Sequence, residues 1–357
     1  MQTVKASDGD STPVSRALEY LKTQIDADGS FMSGDLTMTQ WTILAIVAAG
    51  KDPSDWRGSS GKSTEIWFLN QAEEVYTTGQ NSDRPVGPWA TYVLAALACG
   101  LNPRNLNGYD FVTAIMNQSN AAGVLETDAG YLNYNWWGVM ALITTGVPAN
   151  NSVIQGSIAY IEKCQNLNGG WSYATAGAAD PDDTGAALMA LSAAGVPSDS
   201  PCITKALEYL HSVQDSDGGF KFQGYDTNSA SDAWVIMGLM SVGQDPTQWT
   251  KTDGGKSVVD HLLSLQFYNG AFYWYGNTMN APVWMTDYAI IALSNKTFYT
   301  CLPSLDTSTP SPTPASSVTT ADPDFPVLLI GFALVISVVM ILAAVIFARK
   351  KVHKTQR

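Results

Sequence analysis

Three carboxylates fall within four residues in Asp180-Pro181-Asp182-Asp183-Thr184. Carboxylates this close cannot all ionise, so one of them keeps its proton near neutral pH and is available as an acid. Asp182 is the candidate general acid, Asp180 the neighbour that shares its charge, and Asp183 the flanking group. Tryptophans recur at comparable points along the chain, among them Trp89, Trp136, Trp137, Trp234 and Trp284. Ring faces stabilise cations. An acid beside such rings fits chemistry that begins with a proton and passes through a carbocation.

These residues sit in an internal repeat that runs six times over 14–299. A small-residue helix end marks each copy, closing on Gly50, Gly100, Gly146, Gly195 and Gly243. The spacing fits a two-helix repeat. Glycine after an apolar run is a helix C-cap, and Pro53, Pro103, Pro148, Pro197 and Pro246 follow it. The sixth copy ends at Leu293 without the glycine. In each copy an amphipathic helix, as in 157–163 or 206–211, precedes one that is apolar nearly all round, as in 41–48 or 234–240. The turn between them reads Gln24 to Phe31, Gln165 to Trp171, Gln214 to Phe220 and Gln266 to Phe272. Its Gln is suited to bond the loop backbone, its Gly to take a positive φ, and its aromatic ring to pack beneath. Outer amphipathic helices around inner apolar ones, six times over, predict an all-α fold: an (α/α)6 toroid, a double-layered helical barrel.

In such a barrel the inner-helix starts converge on one mouth. That mouth is expected to carry Gln40, Trp41, Trp89, Tyr92, Asn135, Trp136, Asp232, Trp234, Trp284 and Asp287, with the acidic trio. Aromatic walls with a few polar groups suit a ligand site; the same rings would also suit a filled barrel core. Counting eleven residues back from each end glycine, or from its aligned place in the sixth copy, gives Thr39, Trp89, Asn135, Thr184, Asp232 and Thr286. Five of these are N-cap types, so this register is expected to cap the inner helices, with Asp183, Asp232 and Asp287 as further capping groups. His211 and His261 are read as surface residues. No Cys or His spacing points to a metal, so none is expected.

The rest of the chain divides by composition. Residues 1–13 are polar, are expected to be disordered, and lack the apolar core of a signal peptide. Residues 300–324 form a Ser/Thr/Pro-rich stalk. Residues 325–348 are apolar and long enough to be a transmembrane helix in the lipid bilayer. Residues 349–357 are a basic tail, which the positive-inside rule places in the cytoplasm, with the toroid extracytoplasmic. The net charge is −13, and a surface that acidic argues against nucleic acid as a partner.

The strings Gln165-Asn-Leu-Asn-Gly-Gly-Trp171 and Asp180-Pro-Asp-Asp-Thr184 resemble the QW repeat and the Asp-x-Asp-Asp-Thr acid motif of the terpenoid cyclase and protein prenyltransferase toroid superfamily, most closely squalene–hopene and oxidosqualene cyclases. The run 227–239 with 243–249 is similar to surface proteins related to cobalamin carriers. The resemblance covers about 14–297. It implies a hydrophobic or amphipathic small molecule as partner, an isoprenoid or a corrinoid, with no cofactor beyond a corrinoid taken as ligand. It also implies an alternative: a class II terpene cyclase in which Asp182 protonates an alkene or epoxide. Those cyclases use two toroid-like domains and this chain has one, which favours binding over turnover. Prenyl transfer is set aside because Cys164, Cys202, His211 and His261 do not fall at the zinc positions of those relatives. A cell-surface adhesion or scaffold role is the third expectation.

Overall fold

The computed structural model describes residues 12–125, 130–276 and 281–302. Its helices, in chain order, are α1 (Pro13–Lys22), α2 (Leu36–Ala48), α3 (Thr64–Leu69), α4 (Ala72–Gln80), α5 (Val86–Ala98), α6 (Phe111–Met116), α7 (Asn133–Thr144), α8 (Ser152–Lys163), α9 (Pro181–Ala193), α10 (Pro201–Val213), α11 (Ser229–Ser241), α12 (Val258–Ser264) and α13 (Pro282–Leu293). Extended backbone among the described residues is confined to isolated bridges that close turns, such as Ile25 with Phe31 and Gln266 with Phe272.

The layering follows from hydrophobic patterning. Helices α2, α5, α7, α9, α11 and α13 are apolar on every side, and each packs on the next, with α13 returning to α2. They form a closed inner ring. The shorter or amphipathic helices α1, α3 with α4, α6, α8, α10 and α12 pack outside it. The second copy departs from a simple pair, since its outer helix is broken at Asn70 and Gln71 into α3 and α4.

Ring closure is built into the turns. A left-handed glycine that recurs in these turns lies where a Cβ would strike the next outer helix or the residues that lead into it: Gly169 against Lys205, Gly218 against Lys256 and Ser257, and Gly270 against Arg16. Glycine is required there by both φ and approach. The turn glutamines reinforce this. Gln165 Nε2 donates to its own turn at Gly169 O and to Cys202 O, both at 2.7 Å. Gln214 does the same with Gly218 and Trp249, and Gln266 with Gly270 and Pro13. That last pair joins the sixth copy to the first. The rings of Phe31, Trp171, Phe220 and Phe272 are fully buried beneath their turns. In the sixth copy Asn295, at φ 55°, takes the left-handed position that glycine holds elsewhere, as asparagine does at helix ends.

The expected N-caps are corrected. The caps are Asp35, Asp180 and Asn228, four residues earlier, each accepting from a first-turn amide. The register read as capping lies one turn inside the helix and clamps the turn instead. Thr39, Asn135, Thr184, Asp232 and Thr286 accept from the backbone N–H of Phe31, Leu125, Trp171, Phe220 and Phe272 respectively. These amides are buried, and an unpaired one is costly. Trp89, in the same register, is the exception.

Among the described residues no helix is long and apolar enough to cross a membrane. The expected transmembrane helix 325–348, the basic tail 349–357 and nearly all of the stalk 300–324 lie outside the described residues. Cys164 and Cys202 are not joined in a disulfide, nor are Cys99 and Cys301.

Candidate functional site

The repeat register sorts the expected site residues by direction. Two residues beyond the clamp stand Trp41, Thr91, Trp137, Ala186, Trp234 and Tyr288. Four of these are aromatic and converge inside the ring. Trp41 lies 5.5 Å from Trp137 and 5.6 Å from Tyr288, and Trp234 lies 5.7 Å from Trp137 and 5.5 Å from Tyr288, centroid to centroid. One turn nearer the helix starts, on the same face, stand Thr37, Gly87, Asn133, Asp182, Ala230 and Trp284. None of these six is fully buried, so this tier opens to solvent. Asp182 therefore stands at the partly exposed mouth of the ring, the cup, with Thr37, Gly87, Asn133 and Ala230, and with Trp284 5.8 Å from Tyr288.

The acidic trio divides its roles. Asp180, 4% exposed, caps α9 by accepting from Asp183 N at 2.9 Å. Asp183 accepts from Tyr173 N at 2.6 Å. Asp182 does neither, and its Oδ1 is enclosed with no hydrogen-bond partner among the described residues. Burial, then the charge of Asp180, push Asp182 up to about 8, against the Ser231 hydroxyl that favours its anion. Burial and the charge of Asp182 bring Asp183 only to about 6, since the hydrogen bond with the Asp180 carboxyl and, after it, the bond from Tyr173 N–H support its anion. Burial and the Asp183 charge also hold Asp180 well above the usual carboxylate range. At neutral pH Asp182 thus carries its proton and faces the cup. It is an uncharged acid with a free oxygen.

Several expected mouth residues lie elsewhere. Trp89 turns outward, donating to Val75 O of α4 at 3.1 Å and stacking on Tyr76. Gly79 leaves room for its indole. Tyr92 also faces the outer layer, with its hydroxyl on Phe68 O at 2.8 Å. Gln40, Trp136 and Asp287 share the register after the clamp and are buried. In α13 that register faces the neighbouring inner helix, where Asp287 accepts from Thr42 Oγ1 at 3.0 Å. Burial lifts Asp287 well above the ordinary range, so it packs between helices as a neutral acid rather than lining the cup. Asn135 and Asp232 serve as clamps. Trp41, Trp234 and Trp284 are the aromatic residues from the expected set that do face inward.

His261 is not a surface residue. It is 7% exposed, with Nδ1 at 2.6 Å from Asp232 Oδ2 and Nε2 at 3.3 Å from Asp217 Oδ2. The reason is the clamp. A threonine there has one oxygen, whereas Asp232 has a second that needs a partner, and His261 on α12 supplies it. His211 is exposed as expected. Two residues were missed: Tyr288, whose repeat register marks it, and Phe298, which lies beyond the last helix.

A family model described as the squalene-hopene cyclase C-terminal domain matches residues 139–307. No curated protein sequence matches the chain. Among solved structures, the type II terpene cyclase MstE from Scytonema is 13% identical, with a TM-score of 0.53, covering 79% of this chain and 96% of that one. A variant of MstE in complex with geranylgeranyl dihydroxybenzoate, described as its substrate, is 14% identical with a TM-score of 0.52, covering 81% and 97%. A glycosidase in complex with glucose is 12% identical with a TM-score of 0.50, covering 82% and 100%. At these identities the likeness concerns the fold, and it spans more than one chemistry. With its closed double ring, the chain has the α–α toroid fold of these structures, and residues 139–307 are similar to the squalene-hopene cyclase C-terminal domain.

Proposed function

We propose that the cup at the inner-helix starts binds a hydrophobic, isoprenoid-like molecule and that Asp182 protonates it, in the manner of a class II terpene cyclase. One observation carries this reading: Asp182 stands at the cup with Oδ1 unbonded, in surroundings that favour its protonated form, while the carboxylates beside it accept from backbone amides. Transfer of its proton to a terminal alkene carbon creates a tertiary carbocation, which the next double bond closes upon. The Ser231 hydroxyl supports the carboxylate left behind. The faces of Trp284, Trp234, Trp41 and Trp137 suit the developing cation. The single-toroid architecture does not oppose this, because the MstE chain is itself covered to 96%.

A second reading, binding without turnover, draws support from the aromatic residues that fill the ring below the cup. Incubation of the full chain with geraniol, farnesol and geranylgeraniol in turn, followed by mass spectrometry of extracted products, separates the two. Cyclised product that disappears in Asp182→Asn supports the acid. Full yield from Asp182→Asn refutes it, and binding without product selects the second reading.

In this reading the toroid is held outside the cell by residues 325–348. Protease added to intact cells should release it; protection would place it in the cytoplasm.

A further inference from the structure

Below the cup, the inside of the ring is closed by a residue that belongs to none of its helices. In five copies the left-handed glycine is followed two or three residues later by proline: Pro53, Pro103, Pro148, Pro197 and Pro246. The chain then leaves for the next outer helix. The sixth copy has no successor. After left-handed Asn295 the position of that proline is taken by Phe298. Its side chain is fully buried. Its ring lies 4.9 Å from Trp234, 5.1 Å from Trp41, 5.5 Å from Trp137 and 6.0 Å from Tyr288. Those four rings come from four inner helices and occupy one register.

The segment around Phe298 is anchored at the far end of the barrel. The Tyr299 hydroxyl meets Ser192 Oγ, in the last turn of α9, at 3.3 Å. Thr297 and Thr300 exchange bonds through their Oγ1 atoms and backbone amides, and Cys301 N donates to Thr297 O at 3.2 Å. Phe298 thus enters from the helix C-termini, opposite to Asp182, and meets the aromatic tier from beneath. The tier's own residues cannot shorten the ring's interior further, because the next register down is small throughout: Ala45, Ala95, Ala141, Ala190, Gly238 and Ala292.

We propose that Phe298 props the floor of the ligand site, the tier of Trp41, Trp137, Trp234 and Tyr288, and so sets the length of chain the site accepts. This rests on the reading of the cup as an isoprenoid site. Removing the Phe298 ring lets that tier sink by up to about one helical turn, ~5 Å, close to one added prenyl unit. The site as it stands then suits short prenyl chains, and Phe298→Ala admits a longer one.

The test uses the full chain and three probes, geraniol, farnesol and geranylgeraniol, with binding followed by tryptophan fluorescence. Phe298→Ala should raise affinity for geranylgeraniol relative to geraniol about tenfold, and Phe298→Trp should lower it. An unchanged length profile in Phe298→Ala overturns the proposal. If no prenol binds wild type or variant, the isoprenoid reading fails, and toluene decides the floor separately. Toluene that raises the Tm of Phe298→Ala but not of wild type, and no longer does so once Ala230→Trp obstructs the cup, supports it. Absence of that uptake, or uptake indifferent to Ala230→Trp, overturns it. Should Phe298→Ala not fold, Phe298→Leu gives the same comparison at smaller amplitude.

Discussion

Replacing His261 by leucine isolates the one clamp that depends on a second side chain. Asp232 Oδ1 receives Phe220 N–H at 2.9 Å, and Oδ2 faces His261 Nδ1 at 2.6 Å. Asp232 is fully buried. His261→Leu leaves Oδ2 without its partner, and breaking a buried pair on one side costs about 3–5 kcal/mol. The lower end is expected, because burial already holds Asp232 near 6 and the carboxyl can relieve part of the cost by taking a proton. Urea unfolding at pH 7, followed by tryptophan fluorescence, should therefore show a loss of about 3 kcal/mol. The double variant Asp232→Thr/His261→Leu restores the clamp chemistry of Thr39, Thr184 and Thr286. It should recover to within about 1 kcal/mol of wild type, since the residual terms are one hydrogen bond and repacking. His261→Leu within about 0.5 kcal/mol of wild type, the usual range for a surface change, would refute the pairing, as would a double variant no more stable than the single one.

The pH dependence of this pair has a definite sign. Burial alone would lower His261, but the hydrogen bond to Asp232 and its charge outweigh that and hold His261 above 6.5. Asp232 is raised from 3.8 to about 6. Both groups hold protons more tightly in the folded chain, so their contribution falls as pH rises. The Asp232 part declines between about 4 and 6, and the His261 part as pH climbs from 6.5 through the folded value. Wild type should lose stability relative to the double variant over that range.

Asp182 is likewise raised, from 3.8 to about 8, so its burial weighs against the fold increasingly as pH rises through that interval. Because Asp180 rather than Asp182 caps α9, Asp182→Asn should leave acid-side stability unchanged and raise Tm at pH 9; a lower Tm at pH 9 would refute its placement. Thr184→Val removes the acceptor of the buried Trp171 amide and should cost about 1–3 kcal/mol in urea unfolding. Gly185→Ala would put a Cβ 2.5 Å from the Trp234 carbonyl oxygen, forcing α9 and α11 apart. A loss of about 1–3 kcal/mol is expected, and a neutral result would contradict the close crossing.

Much of the molecule was legible before any coordinates. The six copies, the buried ring beneath each turn and the glutamine that binds the loop all follow from local strings. The errors have one physical origin. A helix advances 100° per residue, so two residues change a side chain's direction completely. Trp89 and Trp41 look alike as tryptophans near inner-helix starts. Trp89 sits in the clamp register and turns to the outer layer, while Trp41 sits two residues further on and faces inward. The clamp itself was mistaken for a cap because a threonine or aspartate suits both tasks. Only a count from the true cap, Asp180 or Asp35, tells them apart.

What the amino-acid sequence determined by itself is therefore whatever depends on short-range pattern: the helical period, the left-handed turns, the six-fold repetition that obliges the ring to close, and the crowding of three carboxylates at one helix start. What only the tertiary structure decided depends on residues far apart in the chain arriving at one point. His261 became a buried partner because α12 brings it to Asp232. Phe298 became a floor because α2, α7, α11 and α13 converge around it. Asp182 became the acid at the mouth of the ring rather than the cap because Asp180 and Asp183 each accept from a backbone amide and Asp182 does not. Burial and proximity are properties of the closed ring, and no local string encodes them.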